Sequence, residues 1–195
     1  MKKGLLLLAT LVLLSWGVYE CKYYFSYWQD LRDRPWAYST DKNAKLLIGH
    51  WKGVFKDPDG VAKNLEIEIF EPVTDEEREQ KASRKVRRRS RENKQGFEGK
   101  AFVESRLGFE KYEIYGAVEK DDFHQLHFNF RPEDEAKRVL PNFTLNQAEK
   151  GRWTGDQLTL TLAFAYHRAD GSSHWNSADP RHNQKVILIL NRKSK

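Results

Sequence analysis

Three sets of residues have the types and spacing to do chemistry. The run Arg84-Lys85-Val86-Arg87-Arg88-Arg89-Ser90-Arg91 attracts phosphate. It carries no aromatics between its bases for stacking, and phosphate attraction alone is unspecific, so nucleic acid is not expected as a partner. Near an anionic bilayer each basic residue gains about 1 kcal/mol. Arg84, Lys85, Arg87, Arg88, Arg89 and Arg91 are therefore read as contacts to anionic lipid headgroups or another polyanion, with a solvated helix face as the plain alternative. The second set is His167, His174 and His182, which with Asp170 and Asp179 border one loop. These are metal-donor types, but their spacing enforces no coordination shell, and no metal site is assigned. The third set is Phe55, Tyr112, His124, Phe130, Tyr166 and Trp175. Tyr112, His124 and Tyr166 take inward parity on strands, and Phe55, Phe130, Tyr166 and Trp175 rim one open end. They either line a cavity for a small, partly apolar ligand or fill a solid core. There is no Gly-rich phosphate loop, nucleophile elbow or paired-acid motif. No catalytic residue and no cofactor are assigned, and the chain is read as a non-enzyme.

The elements that must position these residues announce themselves through a repeated phrase. Gly49-His50-Trp51-Lys52-Gly53 and Gly151-Arg152-Trp153-Thr154-Gly155 each lead into an alternating apolar run, and Gly96-Phe97-Glu98-Gly99 opens a third. Glycine permits close backbone approach, and an aromatic can plug the space it leaves. Period-two patterning predicts strands at 46–56, 61–71, 96–105, 109–118, 122–131, 142–149, 156–168 and 184–193. Leu65, Ile67 and Ile69 share one face, and Leu158, Leu160, Leu162, Phe164 and Tyr166 another. Asp57-Pro58-Asp59-Gly60 predicts a tight turn. Thr74-Asp75-Glu76-Glu77 reads as a helix start, and residues 74–93 as a charged inserted helix. Its apolar residues are Ala82 and Val86, so it is expected to lie exposed.

A Gly-x-Trp on the first strand, about eight meandering strands and a basic residue on the last resemble the calycin group: lipocalins, fatty-acid-binding proteins and avidins. The resemblance spans residues 46–193. It implies an all-β, eight-stranded, antiparallel up-and-down barrel, closed where Trp51 packs beneath Arg192. The chain departs from lipocalins in having no cysteine pair, no C-terminal helix and a charged insertion after the second strand. Up-and-down connectivity puts the N-terminal segment and the helix 74–93 at one end (end A), and the connections 132–141 and 169–183 at the other (end B).

Charge and the N-terminus supply the rest. The chain of 195 residues carries 34 Lys+Arg against 28 Asp+Glu. The excess falls within residues 78–94, which leaves the barrel near neutrality. Cys21 is the single cysteine, so no intrachain disulfide forms. Residues 1–28 read as a signal anchor, or else a cleaved signal peptide. Lys2-Lys3 precedes Leu5–Leu14, and Tyr19, Tyr23, Tyr24, Phe25, Tyr27 and Trp28 suit a membrane interface. As helix, Leu5–Tyr19 spans about 22 Å, and continuing to Phe25 gives about 31 Å. Residues 29–45 read as a polar tether and 46–195 as the barrel. Basic residues beside the apolar run favour a barrel outside the cytosol, in the periplasm or at the cell surface, or secreted if the leader is cleaved. The expected function is an anchored, non-catalytic barrel binding a small, partly apolar ligand. The alternatives are a solid barrel serving protein interaction, and a cytosol-facing sensor of an anionic ligand such as a nucleotide.

Overall fold

The computed structural model describes residues 2–83, 93–134, 140–174 and 179–193; at residues 2–9, Lys81 and His174 it describes the backbone alone. The helix α1 (Lys2–Asp33) leads to β1 (Gly49–Lys56) and β2 (Ala62–Ile69), followed by the short helix α2 (Asp75–Ser83). Then come β3 (Gly96–Ser105), β4 (Gly108–Val118), β5 (Gln125–Pro132), β6 (Asn142–Thr154), β7 (Gln157–His167), β8 (Ser173–His174) and β9 (Val186–Arg192). A single 3-10 turn, Pro180–Asn183, precedes β9. Consecutive strands pair antiparallel from β1 to β7, and β9 pairs with both β7 and β1. The result is a closed, eight-stranded up-and-down barrel. The two-residue β8 takes over β9's side of β7 at end B.

Local chemistry accounts for the turns and bends. In the β1–β2 turn the Asp57 carboxylate accepts from the amides of Asp59 (3.0 Å) and Val61 (2.9 Å), while Gly60 takes φ +76°. On β1 an added Cβ at Gly53 would lie 2.7 Å from the Ile189 carbonyl oxygen, so the bare backbone lets β9 approach. β6 changes register twice against β7 and once against β5, with Lys150 at φ 48°. Such bulges bend the strand and increase its twist, which helps a small sheet close.

The side chains of alternate positions fill the interior. Leu65, Ile67 and Ile69 of β2, Ala101 and Val103 of β3, Leu158, Leu160 and Leu162 of β7, and Leu188 and Leu190 of β9 are all buried. Each large aliphatic side chain contributes about 1.5–3 kcal/mol relative to exposure. An aromatic column runs through the same space. Trp36, Phe97, Phe128, Phe130 and Tyr112 follow one another at ring-centroid spacings of 6.0, 5.9, 5.1 and 5.7 Å.

Two expectations are corrected here. Residues 29–45 are not a free polar tether. The helix runs to Asp33, and Trp36, Ala37 and Tyr38 are buried, with Trp36 fully enclosed against Phe97 at end A. Apolar area outweighs the polar composition around it. Nor is α2 wholly exposed, because Arg78 and Ala82 are buried. Residues 84–92, which complete the expected helix, lie outside the described residues.

Candidate functional site

Of the six residues proposed to contact a ligand, the five that are described do not gather at one place. Phe55, Tyr112, Phe130 and Tyr166 lie at end B, whereas His124 lies at end A. His124 stands just before β5, which runs from end A to end B, and the entry to that strand is shaped by Asp122. Its carboxylate accepts from the His124 amide (3.1 Å) and the Gln125 side chain (2.9 Å), which turns the chain and delays β5 until Gln125. These hydrogen bonds also hold the Asp122 carboxyl below the usual carboxylate range. The His124 ring packs on Trp153, 4.6 Å between centroids, with Nδ1 3.2 Å from the Trp153 carbonyl oxygen. Trp175 lies outside the described residues, as do Arg84, Lys85, Arg87, Arg88, Arg89 and Arg91.

At end B the interior turns polar around Lys63, a residue the motif reading passed over. It occupies an inward position on β2 and is 2% exposed. Its ammonium donates to the Phe143 carbonyl (2.6 Å) and Asn142 Oδ1 (2.9 Å), and faces Asp57 at 3.4 Å and Glu110 at 3.8 Å. Glu110 also accepts from Asn142 Nδ2 (2.7 Å) and from the Tyr112 hydroxyl. The Tyr112 hydroxyl in turn accepts from the Leu145 amide at 3.4 Å. The β1–β2 turn, β4 and β6 thus converge on one ammonium of β2, which is compensated by two carboxylates. Phe55, Phe164, Phe143, Tyr166 and His182 form a second aromatic chain beside this cluster, with successive centroids 5.8, 6.5, 4.9 and 5.0 Å apart. His182 belongs to the 180–183 turn, and the neighbouring Arg181 pairs with Asp59 of the β1–β2 turn at 2.8 Å. Phe55, Tyr112 and Phe130 are each buried by these neighbours. The arrangement is a packed plug, with its polar groups bonded to one another.

End A is closed differently. The Arg192 guanidinium stacks 4.3 Å over the Trp51 ring and donates to the carbonyls of Ile48 (2.9 Å) and Leu46, and to Asp156 (3.1 Å). Trp51 Nε1 donates to the Leu47 carbonyl at 2.9 Å. The last strand is thereby tied to the approach of the first. Trp36 covers the same end and reaches the Lys94 carbonyl through Nε1 (3.4 Å).

Beside this closure sits a joint that sequence reasoning also missed. Arg78 of α2 is 1% exposed and donates to Asp30 Oδ2 at 3.0 Å. Its guanidinium lies 5.1, 5.4 and 6.0 Å from the ring centroids of Tyr27, Tyr38 and Tyr23. Arg34 donates to the other Asp30 oxygen at 2.6 Å. The Tyr38 hydroxyl donates to the Val73 carbonyl (2.8 Å) and accepts from its amide (2.9 Å). An outer cleft of about 630 Å³ adjoins this joint, with Phe70, Glu71, Glu77, Glu98 and Tyr115 among its lining residues. Partial burial there raises the Glu71 carboxyl above its ordinary value, with nearby Asp75 adding to the shift.

Among the described residues no three His, Cys, Asp or Glu side chains are grouped to hold a metal ion. Among the described residues, too, no helix is long and apolar enough to cross a membrane; the side chains of Leu5–Leu8 lie outside them. No protein-family model and no curated protein matches the chain. Among solved structures it is similar to a de novo designed fluorescence-activating beta barrel, at 13% identity and a TM-score of 0.40, over 79% of this chain and 100% of that one.

Proposed function

We propose that this chain is a membrane-anchored, non-catalytic interaction module whose barrel is solid and stands outside the cytosol. The reading is carried by the interior. Phe55, Tyr112 and Phe130, the side chains that would line a cavity, are buried against one another's neighbours and against the Lys63 cluster. A barrel of eight strands encloses about enough room for its own side chains, so a filled interior leaves recognition to the outer surface. Titrating the full chain with 8-anilinonaphthalene-1-sulfonate in detergent should show no saturable site beyond detergent alone. One-to-one uptake would sink the solid-barrel reading.

One observation favours the second reading, a small, partly apolar ligand entering at end B. The cover there is the 180–183 turn, held by the Arg181–Asp59 ion pair and the Tyr166–His182 stack rather than by a barrel strand. Exposed ion pairs contribute at most about 1 kcal/mol, so this cover is the least firmly held part of the plug. In that case Arg181→Ala should admit the same probe faster and with tighter apparent binding than the parent chain.

A further inference from the structure

We propose that the bilayer is met by one defined surface, made of α1 residues 10–18 and the Tyr24–Phe25–Trp28 flank, and that the Arg78 joint fixes this surface so that end B stands away from the lipid. The proposal rests on the membrane reading above and adds an orientation to it. Leu11 to Val18 are exposed on every side of the helix, with Trp16 at 62%. A helix that is apolar all round needs an apolar surrounding, and none is supplied by the barrel. From Tyr19 onward one face becomes covered, at Tyr19, Tyr23, Tyr27, Asp30 and Arg34, which is the helical repeat of a packed stripe. The opposite flank leaves Tyr24, Phe25 and Trp28 open, with Lys22 and Arg32 exposed beside them and Arg32 5.5 Å above Trp28. Aromatic rings with adjacent cations suit the headgroup level of an anionic bilayer.

The covered stripe is what makes the pose definite. Tyr23 donates to Asp75 (3.2 Å), and Asp30 receives Arg78 of α2 and Arg34 from the chain just beyond α1. Leu31 reaches the barrel core and Trp36 seals end A. No Gly or Pro lies between Val18 and Asp33, and α1 stays helical through Gly17 into the exposed turns. The direction set at the joint therefore carries along the helix to the exposed apolar turns. End A is the near end of the barrel and end B the far one.

Energy transfer to a headgroup-labelled acceptor lipid tests the pose in phosphatidylcholine–phosphatidylglycerol vesicles. In a Cys21→Ser background of the full chain, a donor is attached in turn at Val12→Cys, at Lys120→Cys in the end-A hairpin, and at Arg106→Cys in the end-B hairpin. Transfer should be strong at position 12 and several-fold greater at 120 than at 106. Equal transfer at 120 and 106, with strong transfer at 12, would overturn the fixed pose and leave the anchor standing. Absence of transfer at 12 would overturn the anchor and the proposal with it. Arg78→Met should bring the signals at 120 and 106 together without changing that at 12, and the comparison in the parent chain decides the matter even if this variant folds poorly.

Discussion

Lys63 and Arg78 show how a charged side chain is kept inside a small barrel protein. Each is nearly inaccessible; Lys63 faces Asp57 and Glu110, and Arg78 faces Asp30 from outside its own helix. Burying such a charge is costly, and removing its partner costs more because the remaining charge is then uncompensated. Lys63→Met keeps much of the volume and strands Asp57 and Glu110. It should lower the unfolding free energy by about 3–5 kcal/mol in a urea titration followed by tryptophan fluorescence. Adding Glu110→Gln should recover part of that loss; if the double variant is less stable than the single one, the two charges are not coupled as described. The inward position of Lys63 was legible, since it shares the parity of Leu65, Ile67 and Ile69. Its partners were not, because Asp57, Glu110 and Asn142 come from other elements, and local patterning holds no information about which strands meet. Arg78 was hidden for another reason. An arginine in a charged helix reads as solvated, and three tyrosines from outside that helix enclose it.

The strands were legible from period two because one face of each is buried and the other is not. Where the backbone breaks that alternation, the reading stopped or slipped. β6 was expected to end at 149, yet it continues to Thr154 through a bulge at Lys150–Gly151. The strand expected from 122 begins at Gln125, because Asp122 captures a following amide. The connection between α1 and β1 was misread for lack of any period: three successive residues, Trp36, Ala37 and Tyr38, are all buried. Tyr38 makes this connection pH-sensitive. Burial is the main cause that raises its hydroxyl above the ordinary 10.0, and its bonds to Arg78 and Val73 oppose the shift only in part. The unfolded chain gives up this proton near 10 while the folded chain still holds it. Over that interval the unfolded state binds fewer protons, so stability falls as pH rises. The contribution is whole below 10 and is lost as pH climbs through the folded value. Urea midpoints measured from pH 8.5 to 11.5 (roughly the window set by a tyrosine near 10) should decline at the alkaline end. Tyr38→Phe should be less stable at pH 8.5 through its lost hydrogen bonds and should show a shallower alkaline decline. An unchanged slope would remove Tyr38 from the account.

On the scale of the whole molecule, the folding unit is larger than the barrel that patterning outlines. Residues 46–195 contain every strand, yet Arg192 closes end A by donating to the carbonyls of Leu46 and Ile48, at the very edge of that segment. Just outside it, Trp36 fills the end of the aromatic column, and Asp30 holds Arg78. Removing a buried tryptophan side chain alone costs about 3–5 kcal/mol, a large part of the 5–15 kcal/mol that a domain commonly has. A chain of residues 29–195 keeps the Trp36 plug and the Asp30–Arg78 pair, and gives up the exposed apolar turns of α1. It should unfold in one cooperative step. A chain of residues 46–195 leaves end A open and the Arg78 guanidinium without its carboxylate. It should lose at least the cost of Trp36, with earlier amide exchange in α2 and at the start of β3 than in β7. If the two chains instead unfold at the same urea concentration, residues 29–45 only cover the barrel. The pose proposed for end A against a bilayer would then lose its mechanical basis, because the helix would be joined to a barrel that does not need it.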